Sequence, residues 1–240
     1  MTLYVGTSGY SYKEWKGSFY PEDLPAKEML SFYASRLPAV EINNTFYKLP
    51  QKNVIENWKQ QVPDSFRFTL KASQRITHFK RLKEAEAETG YFIETAGVLE
   101  ERLGAILFQC PPNMKKDAGR LETFLGHLPY TVKASFEFRH AAWFDDDVLE
   151  LLRKSNRALC ISDTDDQPVT HIDRTADWGY LRLRRVEYSD EDLAEWAKRI
   201  RAQDWKEVFV FFKHEDEGTG PRLAAQFLDL AKGMALAPRR

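Results

Sequence analysis

Cysteine is nearly absent. The 240-residue chain has two, Cys110 and Cys160, each at the end of an apolar run. A structural zinc centre needs more thiolate or imidazole ligands at closer spacing. A chain this long needs no disulfide scaffold, so both read as buried thiols. Charge of one sign is missing too. The 35 basic residues nearly cancel the 36 acidic ones. That leaves no overall pull toward nucleic acid or membrane, and any electrostatic preference must be local. No apolar run approaches the ~20 residues of a membrane span. Met1 leads straight into strand-like Leu3-Tyr4-Val5, without a basic leader and apolar stretch. The expectation is a cytoplasmic protein with no membrane partner. Linker-like and low-complexity segments are lacking. So are the short signatures of several chemistries: Gly-x-Ser-x-Gly for a serine nucleophile and His-Glu-x-x-His for a zinc helix. Gly6-Thr7-Ser8-Gly9 falls short of a phosphate-binding glycine loop.

What is present is an alternation. Short apolar or β-branched runs predict strands at 3–7, 39–43, 66–71, 104–109, 133–138, 158–162, 178–183 and 207–213. Helical periodicity predicts helices at 26–36, 51–62, 86–101, 118–127, 144–155, 189–203 and 220–234. Asp145 or Asp146 is placed to cap the fifth helix. Ser189 with Asp192 resembles a capping box at the start of the sixth. Residues 163–177 carry no helical pattern and read as an irregular excursion between strands six and seven. Eight strands alternating with helices favour a parallel sheet. At about 250 residues a closed (β/α)8 TIM barrel, one domain over 1–240, is favoured over an open doubly wound sheet.

In such a barrel the strand ends and the loops after them build the site. Side chains alternate along a strand, so Glu41 and Asn43 share one face. Glu137 and Arg139 do likewise at the end of strand five, and Arg182 and Arg184 at the end of strand seven. Strand three ends at Lys71, strand four at Gln109, strand six runs into Asp163, and strand eight ends Lys213-His214-Glu215. Charged residues inside apolar strands are costly unless paired or wetted. Their recurrence at nearly every strand end predicts a hydrated, charged cavity. The competing reading is an ion-pair ring that plugs the barrel. After strand one, residues 10–20 hold five aromatics, including Tyr10 and Trp15. They fit either a ring-stacking platform or a packed lid. After strand three, Lys71, Arg75, His78, Lys80, Arg81 and Lys83 run without an acid. They fit either a positive wall or a solvated loop.

At these residues the chain resembles the YecE-like family, a group of proteins defined by domain of unknown function 72. The motifs are Gly6-Thr7-Ser8-Gly9-Tyr10 with Trp15, Gly17, Phe19, Tyr20 and Pro21; Val40 to Tyr47; Arg75-Ile76-Thr77-His78; Gln109-Cys110-Pro111-Pro112; and Phe136 to His140 with Trp143. The resemblance covers nearly the whole chain and implies a TIM barrel without implying an established activity. Two strand ends depart from the family pattern. Strand seven often ends Arg-Leu-His-Gly where this chain has Arg182-Leu183-Arg184-Arg185. Strand eight often ends in paired asparagines where it has Lys213-His214.

Three functions compete on these residues. The first is an enzyme acting on a small anion such as a phosphorylated sugar or nucleotide fragment. Lys71, Arg75, Arg139, Arg182, Arg184 and Lys213, with Asn43, Gln109, Asp163, Tyr10 and Trp15, would bind it. Glu41 or Glu137 would be the general base and His78 or His140 the acid. The second is metal-assisted hydrolysis or isomerisation, with a divalent ion on Glu41, Glu137, Asp163, His78, His140 and His214, although no cofactor is required. The third is nucleic-acid binding by the basic loop and the aromatic first loop, disfavoured by the near-neutral charge. Paired carboxylates across the rim would also suit a glycosidase. The sequence sets no oligomeric state.

Overall fold

A computed structural model describes residues 1–213 and 217–235. Eight parallel strands close a barrel in sequence order, with the last pairing the first. They are β1 Thr2–Ser8, β2 Ala39–Ile42, β3 Arg67–Lys71, β4 Leu103–Gln109, β5 Ala134–Glu137, β6 Ala158–Asp163, β7 Trp178–Leu183 and β8 Glu207–Phe212. Among the described residues, seven α-helices follow them: α1 Met29–Ala34, α2 Lys52–Gln60, α3 Glu86–Ala96, α4 Ala118–Gly126, α5 Asp146–Lys154, α6 Asp190–Arg201 and α7 Thr219–Ala235. The gap falls after β6, where residues 164–177 form no helix. The architecture is a (β/α)8 barrel with the expected irregular excursion.

The alternation rule explains both cores. Val5, Val40, Phe68, Ile106, Phe136 and Val210 point outward and pack under the helices. Tyr4, Ala105, Cys160, Tyr180, Phe209 and Phe211 point inward and fill the barrel. Tyr4 stacks on Phe209 at 5.0 Å between centroids, closing the lower end. Both cysteines are buried thiols, as expected. The helix signals hold where a side chain does the capping. Asp145 caps α5 by accepting from the Asp146 amide at 2.9 Å. Ser189 and Asp192 complete a reciprocal capping box on α6.

Two expected helices are shorter than their patterns. The 26–36 segment opens as a 3-10 turn, Ala26–Glu28, before α1. The 86–101 segment leaves the α conformation at Gly97, and Glu100 sits at φ 52, a backbone that ends a helix. Glycine freedom matters at the top of β1. Gly9 has φ 90, and an added Cβ would lie 2.4 Å from the Tyr12 hydroxyl. This turn lets the Gly9 amide donate to the Glu41 carbonyl at 2.8 Å while the chain leaves the barrel. No described helix is long and apolar enough to cross a membrane.

Candidate functional site

The inward register that fills the barrel also delivers its polar residues. Ser8, Glu41, Lys71, Gln109, Glu137 and Arg182 continue the inward-facing register of their strands toward the C-terminal mouth. The deepest of them form a closed ion cluster. Arg182 donates to Glu137 Oε2 at 2.7 Å and to Glu41 Oε1 at 2.9 Å. These three residues are 2%, 3% and 0% exposed. Glu41 Oε1 also accepts from Ser8 Oγ at 2.6 Å and Asn43 Nδ2 at 3.1 Å. Its Oε2 accepts from the Tyr180 hydroxyl at 2.6 Å. Burial alone would raise both carboxyl pKa values. Burial is the largest single influence, but Arg182 together with Ser8, Tyr180 and Asn43 at Glu41, and with Gln109 and Arg184 at Glu137, outweighs it. Both carboxyls are held below the ordinary carboxylate range.

This geometry revises the expected chemistry. A base needs a lone pair that a substrate can reach, and Glu41 is fully buried with four donors on its oxygens. Glu41 instead fixes the Arg182 guanidinium in the cluster. Two carboxylates sharing one guanidinium also leave no room for a sugar between them, which removes the glycosidase arrangement. The plug reading therefore describes the barrel floor.

The rim is different. One pleat beyond the floor, Arg184 follows Arg182 and Arg139 follows Glu137. Arg184 is half-buried, 3.8 Å from Glu137 Oε1, and Arg139 is exposed. Across the mouth, Lys71 Nζ rests 4.2 Å from the centroid of the Phe46 ring. Burial and the charges of Arg182 and Arg184, offset in part by Glu137 and Glu41, bring the Lys71 pKa down to about 8. His78 sits on the π-helical turn Arg75–Phe79. Its ring meets Phe46 edge-on at 4.8 Å, and its Nδ1 shares a 2.9 Å hydrogen bond with Thr77 Oγ1. Burial, then Lys71, Arg139 and Arg81, lower its pKa, which favours the neutral imidazole.

Beside this rim the barrel wall opens. The β4–β5 ladder runs to Gln109 and Glu137, and the β6–β7 ladder to Asp163 and Leu183. Between β5 and β6 the ladder stops at Phe136 and Leu159. A cavity of about 590 Å³ occupies the resulting gap, bounded by both strand ends and the 164–173 excursion. Among its lining residues are Arg139, Arg184, Ser162 and Thr164, together with the acids Glu137, Asp166 and Asp173. The size falls in the usual range for small-molecule sites.

Several expected residues lie elsewhere. Asp163 follows Ile161 onto the outer face. Its Oδ1 accepts from the Val169 amide at 2.9 Å, and its Oδ2 from Arg185 Nε at 2.8 Å and the Tyr188 hydroxyl at 2.9 Å. It anchors the excursion and binds no ligand in the mouth. His140 caps the 3-10 turn Ala141–Trp143 by accepting from the Ala142 amide at 3.2 Å. Trp15 is fully buried among Tyr12, Phe19 and Tyr20. Tyr10 packs against Tyr33, so the first loop is a packed lid. Arg75 is exposed on its turn. In the basic loop Lys80 pairs with Glu88 at 2.9 Å and Lys83 with Glu84 at 3.8 Å, so acids from beyond the loop temper the positive wall. Lys213 ends the ladder, its amide donating to Leu183 O. His214 and Glu215 lie outside the described residues. Among the described residues, no three His, Cys, Asp or Glu side chains converge as metal ligands. Sequence reasoning missed Ser8, Tyr180 and Ser162. The signal was there for Tyr180, which shares the face of Arg182.

A closed parallel barrel with an ion-paired floor and a cation-rimmed mouth defines a protein of the (β/α)8, or TIM-barrel, class. The model of the family described as "Protein of unknown function DUF72" matches residues 4–239, and the chain belongs to that family. It is 25% identical over 280 aligned positions to UPF0759 protein YunF of Bacillus subtilis, covering 99% of this chain and 98% of that one. It is 28% identical over 143 residues to UPF0759 protein YecE of Escherichia coli, covering 59% of this chain and 50% of that one. The crystal structure of a DUF72 family protein of Thermotoga maritima superposes with a TM-score of 0.84 at 28% identity, covering 97% of this chain and all of that one.

Proposed function

We propose that the protein is an enzyme acting on a small anionic molecule, of the size of a sugar phosphate, held at the C-terminal mouth of the barrel. One observation carries this reading: Arg139 and Arg184 both line the roughly 590 Å³ cavity where β5 and β6 part. Arg182 is neutralised by two carboxylates, whereas the outer arginines stand one pleat further out with donors toward the cavity. A guanidinium fork suits bidentate capture of phosphate or carboxylate. Ser162 and Thr164 supply neutral hydroxyls on the facing wall. His78 and the depressed Lys71 amine supply proton acceptors near the same rim.

The test is thermal stabilisation by inorganic phosphate and by sugar phosphates, compared with their uncharged sugars. A charge-assisted hydrogen bond contributes about 1.5–3 kcal/mol, so Arg139→Ala and Arg184→Ala should each weaken binding about tenfold or more. Arg75→Ala, on the exposed turn, should leave it unchanged. Equal binding by wild type and the Arg139→Ala/Arg184→Ala double variant would remove the reading.

A further inference from the structure

We propose that Lys71 is a nucleophilic amine that condenses with the carbonyl carbon of a small anionic aldehyde or ketone, forming an imine. The inference rests on the anionic-ligand reading above and names a substrate class for it. Lys71 ends β3 on the inward face, its neighbour Thr69 lying opposite Glu41 in the ladder. Among the described residues its ammonium forms no ion pair; its contact is the Phe46 face at 4.2 Å. That is an unusual setting for a half-buried lysine, because long cationic side chains normally extend to water or find a carboxylate. The charges around it come from four sides. Arg182 on β7 and Arg184 just past its end oppose its proton, Glu137 on β5 and Glu41 on β2 favour it, and His78 borders it on the loop after β3. Apolar surroundings and neighbouring cations are the two devices that activate an amine for carbonyl attack. A pKa of about 8 leaves about a tenth of the amine unprotonated at pH 7, against about one part in three thousand at the ordinary value.

The chemistry balances without an oxidant or reductant. The Nζ lone pair forms the C–N bond while the carbonyl π pair moves to oxygen. One N–H proton passes through His78 to that oxygen, giving a carbinolamine. The nitrogen lone pair then expels the hydroxyl, the second N–H proton passes through His78 to make that hydroxyl water, and a C=N bond remains. His78 Nδ1 is engaged by Thr77, which leaves Nε2 to carry the proton. Arg139 and Arg184 would hold the anionic end of the substrate, across the mouth.

The experiment traps the imine. The protein is incubated with dihydroxyacetone phosphate, pyruvate or uncharged dihydroxyacetone, then treated with borohydride, and adducts are mapped by peptide mass spectrometry. Lys71 should be modified about tenfold or more faster than any other lysine, and dihydroxyacetone phosphate should outpace dihydroxyacetone. Lys71→Arg, which keeps the charge, should abolish the dominant adduct. Competitive acylation of the wild-type protein across pH gives a second readout that needs no folded variant: Lys71 should titrate near 8. Adducts spread evenly over surface lysines, no adduct at Lys71 with any probe, or titration of Lys71 at the ordinary lysine value would each overturn the inference. Preferential labelling of Lys71 that ignores probe charge, and that the Arg139→Ala/Arg184→Ala variant leaves unchanged, would uphold the amine and reject the anion cavity.

Discussion

At the scale of single residues, identical chemistry divides by depth. Arg182 on β7 and Arg184 just past its end are two positions apart, yet one holds the floor together and the other lines the cavity. Arg182→Met would leave Glu41 and Glu137 buried without their cation. Breaking a buried pair this way costs about 3–5 kcal/mol, to be read from the urea midpoint with the slope unchanged. Arg184→Met should cost under about 1 kcal/mol, because its charge is half-solvated. A smaller loss for Arg182→Met than for Arg184→Met would contradict the assignment of floor and rim. Arg157 makes a parallel case at the opposite end of the barrel. It is buried with no carboxylate beside it and donates to the carbonyls of Leu128, Pro129 and Val132. Nothing in the sequence marks it, because its partners are backbone groups of a turn.

At the scale of elements, the segment after β6 determines what the mouth can hold. It replaces a helix and lines the cavity; its 164–173 part is held by the Val169 amide to Asp163, the Val169 carbonyl to Arg199 at 2.8 Å, and Asp165 to the Val186 amide at 2.9 Å. Asp163→Ala removes the first tie and also leaves Arg185 and Tyr188 without their shared acceptor. Amide hydrogen exchange over 164–173 should then accelerate at least tenfold, with β1 to β4 unaffected. An unchanged exchange pattern would show that the excursion is held by something other than this carboxylate. The excursion was legible in the sequence as a stretch without helical period. The role of Asp163 was legible in principle. The rule that pairs Glu41 with Asn43 places Asp163 beside Ile161 on the outer face, and proximity to a strand end outweighed it. The parting of β5 and β6 was not legible, since strand register depends on how distant segments meet and leaves no local pattern. The same holds for Lys71 and Phe46, whose contact joins the end of β3 to the turn after β2.

At the scale of the molecule, the barrel carries its electrostatic stability in its centre. Glu41 and Glu137 bind protons less readily folded than unfolded. Their contribution is fully present above the unfolded carboxylate range, near pH 4.3, and is lost as pH falls through the lower folded values. Stability should therefore decline below about pH 4, and Glu137→Gln should flatten that decline while lowering stability at neutral pH. A wild-type profile that stays flat below pH 4 would argue against an ionised floor. The near-neutral total charge is consistent with this layout, in which Arg139 and Arg184 are placed together at one end of the barrel. The most direct measurement is the anomalous scattering of selenate, a phosphate-like anion, soaked into crystals of the protein. The account predicts a peak in the β5–β6 cavity within hydrogen-bonding reach of Arg139 and Arg184, lost in the Arg139→Ala/Arg184→Ala variant. Selenate found on the exposed basic turn around Arg75, with the cavity empty, would contradict it.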